Sequence, residues 1–218
     1  MIDNLRARVN GEEFDYQTLL DSLKQYEHPR DKITSLLRQK AIIRVKKGIY
    51  VFGPKYARRP FSREILANLI YGPSCISLDF ALHYHGLIPE RVEAVTSVTS
   101  GRGRRFITPI GLFIYRPIPP EAFPVGIDQV QLEGGRSFLI AVAEKALADK
   151  IQDDRGTGIR NQEDMRQYLM QSLRIDAESI GKLRTETLSN LAKRYRSRKL
   201  LLLNRVVARL QEESAHHE

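Results

Sequence analysis

The residues best suited to chemistry in this sequence are basic, and most of them lie in one window. Residues 28–59 hold ten Lys and Arg side chains against a single acid, Asp31. The formal net charge of the chain is +9, and this window alone sums to the same value. Clustered cations create a field that attracts phosphates. The window therefore predicts a dedicated anionic partner.

Part of this window is typical of a DNA-reading surface. We expect residues 29–39 to form a helix that enters a major groove, with Ser35, Arg38 and Gln39 at base edges. Arg38 is the strongest candidate, because a guanidinium can donate two hydrogen bonds to one guanine. The lysines are expected at phosphates, and a solvated basic helix face is the alternative. The full predicted set is Arg30, Lys32, Thr34, Ser35, Arg38, Gln39, Lys40, Arg44, Lys46 and Lys47.

Two further basic clusters lie outside this window. Arg102, Arg104 and Arg105 are expected on a glycine-rich loop between strands and form a second candidate site for phosphate or for a partner's acids, with a solvated turn as the alternative. The third cluster could extend a DNA footprint, but we favour the polar face of a long last helix. Its members are Lys193, Arg194, Arg196, Arg198 and Lys199.

We predict no enzyme, no catalytic residue, no metal site and no cofactor. His83 and His85 are two residues apart on a predicted helix, so they point about 200° apart and cannot share a metal. Glu144 and Asp149 are expected to serve solubility or a domain contact. An enzymatic alternative is a metal-dependent nuclease, although its acids match no metal-site spacing. Those acids are Asp79, Glu93 and Glu121.

The basic window is positioned by a short run of elements. Residues 14–26 and 29–39 place apolar side chains at helical spacing. Residues 41–52 are rich in β-branched and aromatic side chains on both sides of Lys47 and Gly48, which predicts a hairpin. Two helices followed by a basic hairpin, within about 40 residues, predict a winged helix.

The residue pattern of the rest of the chain predicts a mixed sheet followed by helices. The pair Gly134 and Gly135 suits the positive φ values of a tight hairpin turn. Residues 153–158 are expected to form a mobile linker, and residues 214–218 are expected to fray. We predict helices over 62–71, 76–85 and 141–151, strands over 92–99, 106–108, 111–117, 130–132 and 137–140, and helices again after the linker.

Together these elements predict an α+β protein. Its N-terminal winged helix-turn-helix precedes a mixed α/β domain and a helical C-terminal extension, with domains at residues 1–60, 61–152 and 153–218. Hydrophobic residues make up 42% of the chain, which indicates a packed globular core. Neither a leader nor an apolar run long enough to span a membrane is evident. With Cys75 as the single cysteine, a cytoplasmic location is expected.

Several segments share their order and spacing with one known family. They are YQTLL at 16–20, RVKKGIYVF at 44–52, PSCISLDFALHYHGL at 73–87, a strand at 96–99 followed by GRGRR at 101–105, and AEKALAD at 143–149. Through them the chain resembles the AbiEi family of antitoxins from type IV toxin/antitoxin operons. The resemblance covers residues 14–151 and is weak in the tail from Asn161 onward. The segment ahead of Phe14 is short for the first helix of a winged fold.

The resemblance implies partners that the residues alone do not. It implies an N-terminal winged helix that represses its own operon, so double-stranded DNA of its own operator is one expected partner. It also implies an α/β domain that counteracts a nucleotidyltransferase-like toxin encoded by a neighbouring gene. An alternative is a protein-interaction module that neutralises the toxin by direct binding, with DNA binding secondary. No membrane partner is expected.

Overall fold

The computed structural model describes residues 2–215 as a mixed α+β fold. Its hydrophobic side chains form two clusters, a smaller one near the N-terminus and a larger one around the second sheet. Part of the end that we expected to fray, residues 216–218, lies outside this range. The N-terminal elements are α1 (Ile2–Arg8), β1 (Glu13–Asp15), α2 (Tyr16–Ser22), α3 (Pro29–Arg38), β2 (Ile42–Lys46) and β3 (Ile49–Phe52).

The segment ahead of Phe14 is long enough for a helix after all. It forms α1, whose Leu5 is buried in the smaller cluster. The helix predicted over residues 14–26 is shorter than expected, because Phe14 and Asp15 pair with β3 as part of β1. Asp15 then caps α2 by accepting a hydrogen bond from the backbone N–H of Thr18 at 2.8 Å.

The predicted hairpin is confirmed, and it joins a three-stranded antiparallel sheet in the order β1-β3-β2. Both faces of this sheet are covered. Tyr50 and Phe52 pack with the N-terminal helices, whereas Val45 and Val51 belong to the larger cluster. The chain leaves β3 at Gly53, where an added Cβ would lie 1.8 Å from the carbonyl oxygen of Lys40, so no side chain fits.

The central part of the chain builds a six-stranded mixed sheet in the order β6-β7-β5-β4-β9-β8. The turn between β8 and β9 contains Gly134 and Gly135 with φ of 75° and 71°, as their sequence predicts. The strands are β4 (Cys75–Ile76), β5 (Val95–Thr99), β6 (Arg104–Thr108), β7 (Gly111–Pro117), β8 (Ile127–Leu132) and β9 (Arg136–Ala141), and the helices are α4 (Arg63–Ile70), α5 (Leu78–Tyr84) and α6 (Ala143–Asp153).

The short strand β4 was not predicted. It pairs antiparallel with β5 and parallel with β9, so it lies at the centre of the sheet. Its Ile76 was expected to begin a helix, but that helix begins two residues later at Leu78. A two-residue strand has too little periodicity to be recognised from sequence, and its neighbours decide its conformation.

The tail after residue 153 is helical, as predicted. Its Leu188 and Leu203 belong to the same hydrophobic cluster as Ile151 of α6. The boundaries at 60 and 152 and the mobility of the linker stay predictions. The tail consists of α7 (Gln162–Gln167), a π-helical turn (Tyr168–Ser172), α8 (Ala177–Gly181), α9 (Thr185–Tyr195) and α10 (Arg198–Ala215).

Candidate nucleic-acid interface

The predicted DNA-reading side chains lie on the outer side of α3. Ile33 and Leu36 face the smaller hydrophobic cluster and are buried. Successive residues of an α-helix are rotated by about 100°, so Thr34 and Arg38 project on the opposite side. Both are exposed, and Ser35 between them is half-buried. The amphipathic pattern therefore places its polar face outward.

Three of the candidate readers are engaged in local hydrogen bonds. Gln39 Nε2 donates to Ser35 Oγ at 3.0 Å, and Thr34 Oγ1 donates to the carbonyl oxygen of Arg30 at 3.1 Å. The side chain of Arg38 has no hydrogen-bond partner among residues 2–215. Its guanidinium can therefore meet a base without breaking a bond within the protein, whereas Ser35 and Gln39 must exchange or share theirs.

Most cations of the basic window have no carboxylate partner. Several cations elsewhere do have one: Arg136 lies 3.3 Å from Glu13, and Arg6, which lies over the ring of Phe52, pairs with Glu12. A cation without a carboxylate partner is free to neutralise a phosphate. Among residues 2–215, no carboxylate oxygen lies within ion-pair distance of Arg30, Lys32, Arg38, Lys40, Arg44 or Lys47, all of which are exposed.

Lys46 departs from the predicted set. Its Nζ donates a hydrogen bond to the carbonyl oxygen of Ile70 at 2.7 Å and lies 4.7 Å from the ring centroid of Phe106. The pairing register of β2 with β3 shifts between Arg44 and Lys46, so the alternation of side chains does not continue to the end of the strand. Lys46 therefore contacts α4 and β6 and is not among the cations that the hairpin presents to a ligand.

The tip of the hairpin is fixed against the helices. Gly48 takes φ of 93° in the turn, and its carbonyl oxygen accepts a hydrogen bond from the backbone N–H of Tyr16 at 2.8 Å. Lys47 is exposed at this tip and Arg44 is exposed on β2. The hairpin thus presents two cations from a backbone that is tied to the start of α2.

The second candidate basic site lies on an edge of the larger sheet. Arg104 and Arg105 belong to strand β6 instead of a loop, and Arg102 lies two residues before the first residue of that strand. All three are exposed, and none has an ion-pair partner among residues 2–215. Phosphate, a partner's acids and solvent therefore stay the alternatives for this group.

The third basic cluster does not form one helix face. It spans the end of α9 and the start of α10, with Arg196 between them in the left-handed region at φ of 50°. Lys199 contacts the segment after α6, where its Nζ donates a hydrogen bond to Thr157 Oγ1 at 3.1 Å. Arg198 instead lines a groove with other residues of the tail.

The two acids of α6 make contacts inside the protein, which excludes the solubility role. Glu144 accepts from the backbone N–H and the side chain of Arg184 at 2.9 and 3.0 Å. Burial raises the pKa of Glu144, but the hydrogen bonds and charge of Arg184 outweigh it and lower that pKa overall. The contact joins α6 to the helical tail.

Asp149 is the centre of a buried polar network that sequence reasoning missed. Its carboxylate accepts from Ser77 Oγ at 2.6 Å and from the hydroxyl of Tyr195, and it lies 3.4 Å from Lys145 Nζ. Lys145 also donates to the carbonyl oxygen of Ala122 at 3.1 Å. Burial raises the pKa of Asp149. An available signal was the four-residue spacing of Lys145 and Asp149, which places both on the same side of α6.

The acids considered for a nuclease are dispersed. Asp79 pairs with Lys150 at 3.0 Å, and Glu93 pairs with Arg91 at 3.1 Å. Glu121 is exposed in the connection before β8. Within residues 2–215, no group of three or more His, Cys, Asp and Glu side chains is arranged to hold a metal ion. Over the same residues, no helix is both long and apolar enough to cross a bilayer.

Neither a protein-family model nor a curated protein sequence matches this chain.

Proposed function

We propose that residues 2–52 form a winged helix that binds duplex DNA. The order helix, strand, helix, helix, strand, strand supports this proposal, because it agrees with a helix-turn-helix extended by a β wing. In this assignment α3 is the recognition helix and the turn after β2 is the tip of the wing.

The observation that carries the proposal is the set of exposed cations without carboxylate partners on α3 and the hairpin. The ten residues of α3 extend about 15 Å, which suits a major groove about 12 Å wide. Arg38 would read base edges, and Arg30 and Lys32 would contact phosphates beside it. Lys47 would contact a phosphate from the wing.

The biological role that we propose is that of a cytoplasmic transcriptional autorepressor and antitoxin. Support for this role comes from the resemblance of residues 14–151 to AbiEi antitoxins. That resemblance implies that the bound DNA is the operator of its own operon and that a neighbouring gene encodes a nucleotidyltransferase-like toxin. A protein that binds its own operator couples its concentration to its own synthesis.

A gel-shift titration with the upstream region of its own operon tests the DNA-binding role. We expect a shift that prefers this region over a scrambled duplex of equal length and that weakens steeply with salt. Arg38→Ala should lose the preference. Arg91→Ala removes one exposed cation outside the basic window and serves as the control. The absence of a shift that is both salt-sensitive and sequence-preferring refutes the proposal.

A second candidate role is direct binding of the toxin by the α/β part. The edge strand β6 favours it, because Ile107 is 83% exposed there beside Arg104 and Arg105. Unpaired edge strands with exposed apolar side chains are common contact sites for other chains. Co-purification with the product of the adjacent gene, lost on Ile107→Lys, would support this role. Independent migration of the two proteins would exclude it.

A further inference from the structure

A groove lined by arginines lies in the helical tail, away from α3 and the hairpin. It is bounded by the residues around the start of α7 and by one side of α10, and its volume is about 570 Å³. Neither the basic window nor the resemblance accounts for it. The arginines that line it are Arg160, Arg166, Arg198, Arg205 and Arg209.

The charge of this arginine groove is largely uncompensated. Arg209 pairs with Glu213 at 2.9 Å, but the other four arginines have no carboxylate partner among residues 2–215. Glu163 is the one acid among the lining residues, and it accepts a hydrogen bond from Gln167. Four positive guanidinium groups beside one carboxylate repel each other, and an anion in the groove would relieve this repulsion.

The arginines of α10 follow one side of the helix. Arg198, Arg205 and Arg209 are seven and four residues apart, so their directions agree within about 40° at 100° per residue. With a rise of 1.5 Å per residue, they extend over about 16 Å of helix. Arginines spread over this length can meet several phosphates of one strand, which carries a charge about every 3.4 Å. The spacing therefore suits an extended polyanion.

The groove has little apolar surface for a protein partner. Leu202, Val206 and Leu210 line its floor, but each is at least nine-tenths buried in the larger hydrophobic cluster. Protein interfaces depend on apolar or aromatic anchors at their centre, whereas a nucleic-acid backbone requires only cations. Guanidinium groups also match phosphate oxygens with two parallel hydrogen bonds.

We propose that the arginine groove binds the phosphate backbone of a nucleic acid without reading its sequence. This site is separate from α3 and does not depend on the winged-helix assignment. Bases would face away from the guanidinium groups, and affinity would come from released counterions. The groove would thus give the protein a second, salt-sensitive contact with nucleic acid.

The test measures binding of the full chain to a random-sequence duplex of about 30 base pairs by fluorescence anisotropy, over a range of salt concentrations. The double variant Arg198→Gln/Arg205→Gln removes two groove cations. We expect it to bind roughly tenfold more weakly at low salt and to reduce the slope of log K against log salt by about 1.8. Arg198→Lys/Arg205→Lys should retain most of the slope, because both charges stay.

The control Arg91→Gln/Arg174→Gln removes the same charge from two exposed surface pairs outside the groove. It should leave the slope nearly unchanged. A groove variant that binds like the unchanged protein, or a control that loses as much affinity as the groove variant, overturns the proposal. Displacement of the labelled duplex by polyglutamate at a lower charge concentration than an unlabelled duplex requires also overturns it, in favour of an acidic protein segment.

The two proposed sites can fail independently. Arg30→Gln/Arg38→Gln disables the α3 surface, and the groove variant is then added in that background. If the added variant weakens the residual binding further, the groove is supported whatever the α3 variant does. If the α3 variant alone binds normally, the winged-helix proposal fails and the groove is unaffected.

Discussion

Arg30 and Arg38 on α3 face solvent with no carboxylate partner among residues 2–215, whereas Lys145 on α6 is fully buried beside Asp149. Both helices carry basic side chains. The difference lies in what surrounds them, because α3 covers the sheet on one side only and α6 is enclosed by the larger cluster. A cation can enter such an interior only with an anion and hydrogen bonds to compensate it.

This contrast separates two uses of charge. The exposed cations of α3 contribute little to stability and are available to a ligand. The buried Lys145 joins α6 to the loop at Ala122, and its partner Asp149 joins α6 to Tyr195 in the tail. Substitutions in the two regions should therefore separate binding from stability.

The largest effect is expected at the buried pair. Lys145→Met leaves Asp149 buried without its cation and should lower the free energy of unfolding by about 3 to 5 kcal/mol. Urea denaturation followed by circular dichroism measures this loss. Lys145→Met/Asp149→Leu removes both charges and should be less destabilised than the single variant. A loss below about 1 kcal/mol in the single variant would contradict the inference that Lys145 compensates the buried charge of Asp149.

The next effect is expected on DNA affinity. Arg38→Ala should weaken binding to the preferred operator by about 1 to 3 kcal/mol, because the bidentate contact to a base is lost. Its urea midpoint should match that of the unchanged protein, since Arg38 is exposed and unpaired among residues 2–215. Anisotropy titrations measure the loss of affinity, and urea denaturation of the same sample measures the midpoint. Equal losses in affinity and stability would remove the contrast with α6.

A smaller effect is expected at the contact between α6 and the tail. Glu144→Gln should cost about 1 kcal/mol at neutral pH, since Arg184 is 64% exposed and solvent weakens the pair. Folding lowers the pKa of Glu144, so its stabilising contribution is complete above the ordinary glutamate pKa. That contribution is lost as the pH falls through the lowered pKa of the folded state.

Urea denaturation at several pH values between about 7 and 3 measures this dependence. The stability of the unchanged protein should approach that of Glu144→Gln at the acidic end. Arg184→Gln should show the same loss of pH dependence. A constant difference between Glu144→Gln and the unchanged protein would indicate that the carboxylate charge is not what stabilises the contact.

The smallest effect distinguishes two neighbouring lysines of the hairpin. Lys47→Gln should reduce the salt slope of duplex binding by about 0.9, because one phosphate contact is lost. Lys46→Gln removes the same charge but should leave the slope unchanged, since its Nζ is bound to the carbonyl oxygen of Ile70. Anisotropy titrations of both variants at several salt concentrations decide this. Equal changes in slope would show that Lys46 also reaches DNA.

Local patterns predicted much of the N-terminal region. The spacing of Ile33 and Leu36 gave the buried side of α3, and Pro29 marked its first turn. The strand β1 could not be predicted, because three residues acquire an extended conformation only by pairing with β3. The direction of the Lys46 side chain also depends on strand pairing, because the register of β2 with β3 shifts next to it. The order of residues does not reveal that shift.

The arginine groove is another feature that local sequence patterns could not predict. Arg160 and Arg166 are about 40 positions from Arg198, Arg205 and Arg209, so no sequence window contains them all. The sequence instead grouped Arg198 with its neighbours, which the turn at Arg196 distributes over two helices. Proximity along the chain was thus a poor guide to proximity in space for the tail.

By itself, the sequence determined the concentration of positive charge in residues 28–59, the periodicity of α3 and the turn at Gly48, because these depend on side-chain chemistry and near neighbours. Tertiary structure alone decided which cations stay in solvent, which enter the interior and which line a shared groove. The reason is that the cost of burying a charge depends on partners from distant segments. Only the folded chain brings Asp149 between Ser77 and Tyr195, or Arg166 beside Arg205.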